Sequence, residues 1–206
     1  MINNYNKLTI GKYKDIKNVL DKGLSDVETN IEIIAILNDL DTADVEDMSL
    51  GAFNCLMQDL RFLYCEPKRK IVADKYKLGK YELETMLNLR DMTVAQYVDY
   101  QEFLKDSEKY LTQLLSVFLI PKGKKYNEGY DIVDVQRTIE ENMSIEDAVS
   151  MSAFFLNLSQ SLTKVTLTSL IKQMKKMERK SKSKEEKEKL QEAIRNLETV
   201  GVGSLL

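Results

Sequence analysis

Apolar positions recur along this chain at helical spacing, and four of the runs open with the same phrase: Leu8-Thr9-Ile10-x-x-Tyr13, Met48-Ser49-Leu50-x-x-Phe53, Met92-Thr93-Val94-x-x-Tyr97 and Met143-Ser144-Ile145-x-x-Ala148. Each phrase predicts a helix start. The hydroxyl accepts a bond from a free amide of the first turn, while the apolar residue before it packs on the one four positions into the helix. Gln96 and Asp147 stand where a reciprocal capping side chain belongs.

Between these starts the period assigns the elements. Ile10, Tyr13, Ile16, Val19 and Leu20 share one helix side, which Gly23 ends. Ile31 to Leu40 reads as a short buried helix, followed by an acidic connector of Asp39, Asp41, Asp44, Glu46 and Asp47. The helix from Ser49 turns Leu50, Phe53, Leu56, Met57, Leu60 and Leu63 inward and closes before Glu66-Pro67. Residues 70–83 alternate with period two around Gly79-Lys80, which predicts a β-hairpin, and helix is expected to resume over 83–89. Two helices then run to Ile120, with Val94, Tyr97, Val98, Phe103 and Leu104 inward in the first. Leu111, Leu114, Leu115, Phe118 and Leu119 face inward in the second, and Pro121 stops it. Pro121 to Tyr130 is the most loop-like stretch, with Tyr126 and Tyr130 expected as exposed tips of a contact surface. After Ser144 the pattern is helical to about Met177, with Ala148, Met151, Phe154, Phe155, Leu158 and Leu162 inward, and Val165-Thr166-Leu167-Thr168 is a place for a bend. Leu190 to Leu197 is a last amphipathic helix before the apolar, glycine-spaced tail 200–206.

These elements describe a mainly α protein: a helical bundle-like body over 1–160 with a small hairpin, and a basic helical arm with an apolar tail over 161–206. Composition agrees, since two prolines and eight glycines in 206 residues are few for a barrel or sandwich. Net charge is −3 but uneven: residues 1–66 carry 6 Lys/Arg against 12 Asp/Glu, and residues 160–206 carry 11 against 6. Opposite potentials at the two ends can steer identical subunits head to tail; the plainer alternative is two solvated helix faces. Lys172, Lys175, Lys176, Arg179 and Lys180 form the front of the basic run, and Val200, Val202, Leu205 and Leu206 are the apolar residues of the tail. Both are candidate interface elements, because an apolar tail on an arm is best covered by another subunit. Cys55 and Cys65 lie ten apart without a partner motif and read as apolar filler in a reduced compartment. No signal-peptide core or membrane-length apolar run is present, so a soluble chain is expected.

The chemistry is sparse. The chain has no histidine, which removes the commonest general base, metal ligand and triad member. Lys122-Gly123-Lys124-Lys125 lacks the spacing of a phosphate loop, and Asp39-x-Asp41-x-x-Asp44 lacks the glycine and distal glutamate of a calcium loop. The expectation is therefore a non-enzyme with no catalytic residue, cofactor or metal. Nucleic acid could meet the basic run only non-specifically, because its glutamates sit at ion-pair spacing and it has no aromatic to stack on bases.

Leu8-Thr9-Ile10-Gly11-Lys12-Tyr13, Leu60-Arg61-Phe62-Leu63, Met92 to Tyr100 and Phe118 to Tyr126 together resemble a family of small helical proteins of crAss-like tailed bacteriophages of gut Bacteroidales, over about residues 8–160. The resemblance implies a virion component of the neck or tail, or a chaperone of tail assembly, and no enzyme; the expectation taken here is a homo-oligomeric component of a portal, neck or tail ring whose partners are copies of itself and other virion proteins. It implies location in the virion, and in host cytoplasm during assembly. A tail-assembly chaperone absent from the mature particle, or a cargo protein delivered to the host, are the alternatives.

Overall fold

The computed structural model describes residues 2–180, 187 and 189–196. The fold is mainly α with a small three-stranded antiparallel sheet. The chain divides into two compact units, Met1–Ala153 and Phe154–Leu206.

In the first unit, Thr9 caps α1 (Ile10–Asp21) by accepting from the Lys12 amide at 3.4 Å, and Gly23, at φ 68°, turns the chain out of it. Helix α2 (Asp26–Asn38) begins well ahead of its apolar run, because Ser25 and Glu28 close a capping box there. The acidic connector is itself partly helical: Asp41 and Asp44 start the short α3 (Thr42–Glu46), which buries Val45. Ser49 caps α4 (Leu50–Asp59) through the Ala52 amide at 3.3 Å.

The hairpin lies later than the alternation suggested. Strands β1 (Lys75–Leu78) and β2 (Tyr81–Thr85) pair with Leu78 opposite Tyr81, and Gly79 holds φ 51° in the two-residue turn. Ile71 stands outside the strand and is 97% exposed. No helix resumes at 83, because β2 has a second partner: β3 (Leu119–Pro121) pairs with Leu83 to Thr85, and the Met86 amide donates to the Phe118 carbonyl at 2.9 Å. Leu119 and Ile120 are thus strand and not the end of a helix.

Helix α5 (Val94–Leu104) opens on the full capping box of Thr93 and Gln96. Its inner face differs from the expected one: Gln96 and Tyr100 are buried, whereas Val94, Tyr97 and Val98 are 82%, 55% and 58% exposed. Helix α6 (Leu111–Phe118) is buried along most of its length. Helix α7 (Ile132–Asn142) is an element that the sequence reading passed over, although Asp131 caps it and Val135 and Ile139 form its apolar face.

Helix α8 (Ile145–Lys180) starts at Ser144, whose hydroxyl accepts from the Asp147 amide at 3.1 Å and donates to the Asp147 carboxylate. It is helical through Val165 to Thr168. In the second unit residues 189–196 are helical and return along α8: Gln191 donates to the Glu178 carboxylate at 2.6 Å and Ile194 is buried.

The core of the first unit is made where α1 meets α2 and α7, and where α6 meets α5 and α7. Leu8, Ile10, Ile34, Leu37, Leu115, Phe118, Ile139 and Met143 are nearly sealed from solvent in it. A partly exposed polar triangle borders this packing, with Lys14 bonded to Glu140 at 2.6 Å and to the buried Thr112 at 3.1 Å. Leu20, expected on the inner side of α1, is 57% exposed one position from the last buried residue.

Thr93→Ala removes the acceptor for the Gln96 amide and is expected to cost about 0.5–2 kcal/mol. Chemical denaturation of the variant measures it, and an unchanged midpoint would mean that the box does not hold the start of α5.

Candidate functional site

The four capping phrases are not used alike. Thr9 and Ser144 face each other in an antiparallel bridge, with the Ile10 amide donating to Met143 at 3.1 Å and the Ile145 amide to Leu8 at 2.8 Å. Two helix starts thereby cover one another, and Leu8, Ile10, Met143 and Ile145 are at most 1% exposed. The other two phrases present the same first residue to solvent: Leu50 is 75% exposed and Val94 82%. Burial at this position thus comes from a partner segment and is not a property of the phrase.

Around Leu50 the uncovered region is broad. Helix α4 seals none of its ten residues completely, but Phe53, Leu56 and Met57 do turn inward and are mostly covered, and the exposed side carries Leu50, Asn54, Cys55 and Gln58. Leu60, in the 3-10 turn that follows, does reach the core. Asp41, Asp44, Glu46 and Asp47 are exposed on the approach to α4 and have no ion pair among the described residues. Asp39, by contrast, is paired with Lys12 at 2.7 Å. Cys55 and Cys65 are exposed free thiols on α4 and just after the 3-10 turn, which corrects their reading as filler.

In the second unit, Lys172, Lys175, Lys176 and Arg179 are exposed on α8. Their spacing of three, four and seven puts them on one stripe. Leu170, Met174 and Met177 are offset from that stripe by two residues, which at 3.6 residues per turn is the opposite side of the helix. Lys180 lies in the last turn of α8, with its side chain outside the described residues, and Val200, Val202, Leu205 and Leu206 fall wholly outside them.

Tyr126 and Tyr130 are not exposed tips. Both are half buried: the Tyr126 hydroxyl donates to Asp99 at 2.8 Å, and the Tyr130 oxygen accepts from the Asn127 amide at 3.2 Å. Burial, reinforced by the Asp99 carboxylate, pushes the Tyr126 phenol well above its ordinary range. Tyr126 is thus held against α5 and neither ring is an exposed tip, although residues 122–125 and 127–129 of the loop are exposed.

One surface cluster is electrostatically tight. Asp134 on α7 receives Lys80 at 2.6 Å, the Tyr81 hydroxyl at 2.7 Å and Arg137. The Lys80 bond, followed by those of Tyr81 and Arg137, holds the Asp134 carboxyl far below the usual carboxylate range. It ties the hairpin turn to α7, and its sign is that of a depressed acid. The stabilisation is complete above the unfolded Asp value of about 3.9 and fades as pH falls below it. Asp134→Asn should therefore lower the melting temperature at neutral pH and flatten its fall on acidification; a parallel acid curve in the two proteins would refute the tie.

An open cleft of 480 Å³ between α1 and the connection of α5 to α6 is lined by Lys14, Lys17, Asp21, Asp106, Glu108 and Lys109. Lys17 pairs with Glu108 across it. Among the described residues no three His, Cys, Asp or Glu are grouped to hold a metal ion, and no helix is long and apolar enough to cross a membrane. No family model matches the chain, and neither a curated protein nor a solved structure matches it.

Proposed function

We propose that this chain is a non-enzymatic structural protein of a tailed-phage virion, a subunit of a homo-oligomeric portal, neck or tail ring that works by association. The observation that supports association is the start of α4, where a phrase sealed elsewhere in the same chain is presented uncovered, on a helix that buries none of its residues. An exposed apolar side chain such as Leu50 forfeits roughly 25 cal/mol for each Å² that a partner would cover. The phage assignment is supported by the resemblance carried by residues 8–160.

Quantitative mass spectrometry of purified particles tests the reading. A copy number at a ring multiple is the expected result. Absence from the mature particle would replace it with a tail-assembly chaperone, and irregular stoichiometry would replace it with cargo. A DNA affinity falling steeply with salt would instead indicate a non-specific nucleic-acid role for the basic stripe.

A further inference from the structure

We infer that Lys68 and Arg69 are a processing site for an endoprotease of lysine or arginine specificity, and that the nicked chain stays folded as one body. The inference is independent of the association reading. Residues 65–74, between the 3-10 turn at Leu60–Tyr64 and β1, form neither helix nor strand, and all of them except Pro67 and Val72 are exposed. Ile71 is 97% exposed at the far side of the basic run. Among the described residues Glu66, Pro67, Lys68 and Arg69 make no hydrogen bond or ion pair. A protease takes its substrate as extended chain on both sides of the scissile bond, so the stretch that surrenders the fewest native bonds is cut first.

The ends of the segment are held while its middle is free. Upstream, the Cys65 amide donates to the Phe62 carbonyl at 3.0 Å. Downstream, the Lys70 amide donates to the Ser150 hydroxyl at 2.8 Å, and the Lys70 amine pairs with Glu146 at 2.9 Å and reaches Asn6. Lys70 is therefore engaged, whereas Lys68 and Arg69 are open to the carboxylate-bottomed pocket of a trypsin-like enzyme. Other exposed cations of the first unit are less available. Lys122 is paired with Glu82 at 2.9 Å, and the loop holding Lys124 and Lys125 is curled by bonds of 2.9 Å from the Lys124 amide to Pro121 and 3.0 Å from the Glu128 amide to Lys125. Lys12, Lys14 and Lys17 lie within α1, which would have to unwind to enter a protease.

Hydrolysis adds one water across the Lys68–Arg69 or Arg69–Lys70 peptide bond, leaving a carboxylate on the first residue and an ammonium on the second. The two pieces remain joined because α1 packs on α7, and because Ile10 and Ile145 donate backbone bonds to Met143 and Leu8 across the cut.

Digestion of the full chain at a low ratio of trypsin, followed by mass spectrometry, tests this. The earliest cut within the first unit should release a fragment ending at Lys68 or Arg69, which elutes with the rest of the chain in native gel filtration and separates only in denaturant. Lys68→Gln/Arg69→Gln should slow that cut about tenfold or more, and Lys124→Gln/Lys125→Gln should leave its rate unchanged. Circular dichroism checks that both variants fold. A first cut elsewhere in the unit, or an equal rate in the Lys68/Arg69 variant, would overturn the site. A fragment that leaves the body without denaturant would overturn the joined product.

Discussion

Phe118→Ala is expected to destabilise the protein by about 3–5 kcal/mol, the usual cost of emptying a sealed aromatic site. Phe118 is fully buried, and its ring meets Tyr100 edge to face with centroids 5.3 Å apart. It also stands where α6 ends and β3 begins. Against a total of about 5–15 kcal/mol such a loss removes much of the stability. Urea denaturation followed by far-ultraviolet circular dichroism measures it. Val94→Ala, on the exposed side of α5, is the control and should stay within about 0.5 kcal/mol of the parent. A loss below about 1 kcal/mol for Phe118→Ala would mean that the site collapses around the smaller side chain, and the packing described here would be wrong.

Gln96→Ala should cost about 2–3 kcal/mol, an unusual figure for a polar residue and larger than the effect at Thr93. Gln96 is 1% exposed. Its carbonyl oxygen accepts from the Thr93 amide at 3.0 Å and hydroxyl at 3.1 Å, and its amide donates to the Val117 carbonyl at 3.1 Å. Val117 lies in the last turn of α6 and the chain continues as strand from Leu119, so its carbonyl has no helical partner, and Pro121 four residues on has no N–H in any case. Gln96 supplies the missing donor. Its removal strands the sealed Val117 carbonyl, at about 1–3 kcal/mol, and also takes the acceptor from the Thr93 amide, a smaller loss because Thr93 is exposed. Thr93→Ala and Gln96→Ala combined should cost less than their sum, since they share bonds. Additive losses in this cycle would show that the two residues act separately.

Gln96 also shows why the burial of α5 was misread. Val94, Tyr97 and Val98 have the spacing of an inner face, and hydrophobic periodicity turns them inward. The helix is instead rotated so that Gln96 reaches the last turn of α6, a donor the interior needs because α6 ends there and passes into β3. That demand is invisible in any window around residue 96. The candidate site divides in the same way. The basic stripe of α8 was legible, since three-and-four spacing is a local property, but the exposure of Leu50 was not, since nothing within its phrase distinguishes it from Ile10.

What the sequence determined by itself was therefore the punctuation. Thr9, Ser49, Thr93 and Ser144 begin helices as read, and the glycine of the two-residue turn closes its hairpin, because a cap or a tight turn is settled among residues a few positions apart. Helix α7 had the same kind of signal in Asp131, Val135 and Ile139, and it was there to be read. Tertiary structure decided partners and faces. Residues 83–85 became strand because Leu119–Pro121 lies alongside them, Tyr126 turned inward because Asp99 is within reach, and two of four identical phrases were sealed because they met each other. Each of these outcomes depends on a group dozens of residues away, and the free energy of pairing or burial is realised only when folding brings that group into contact.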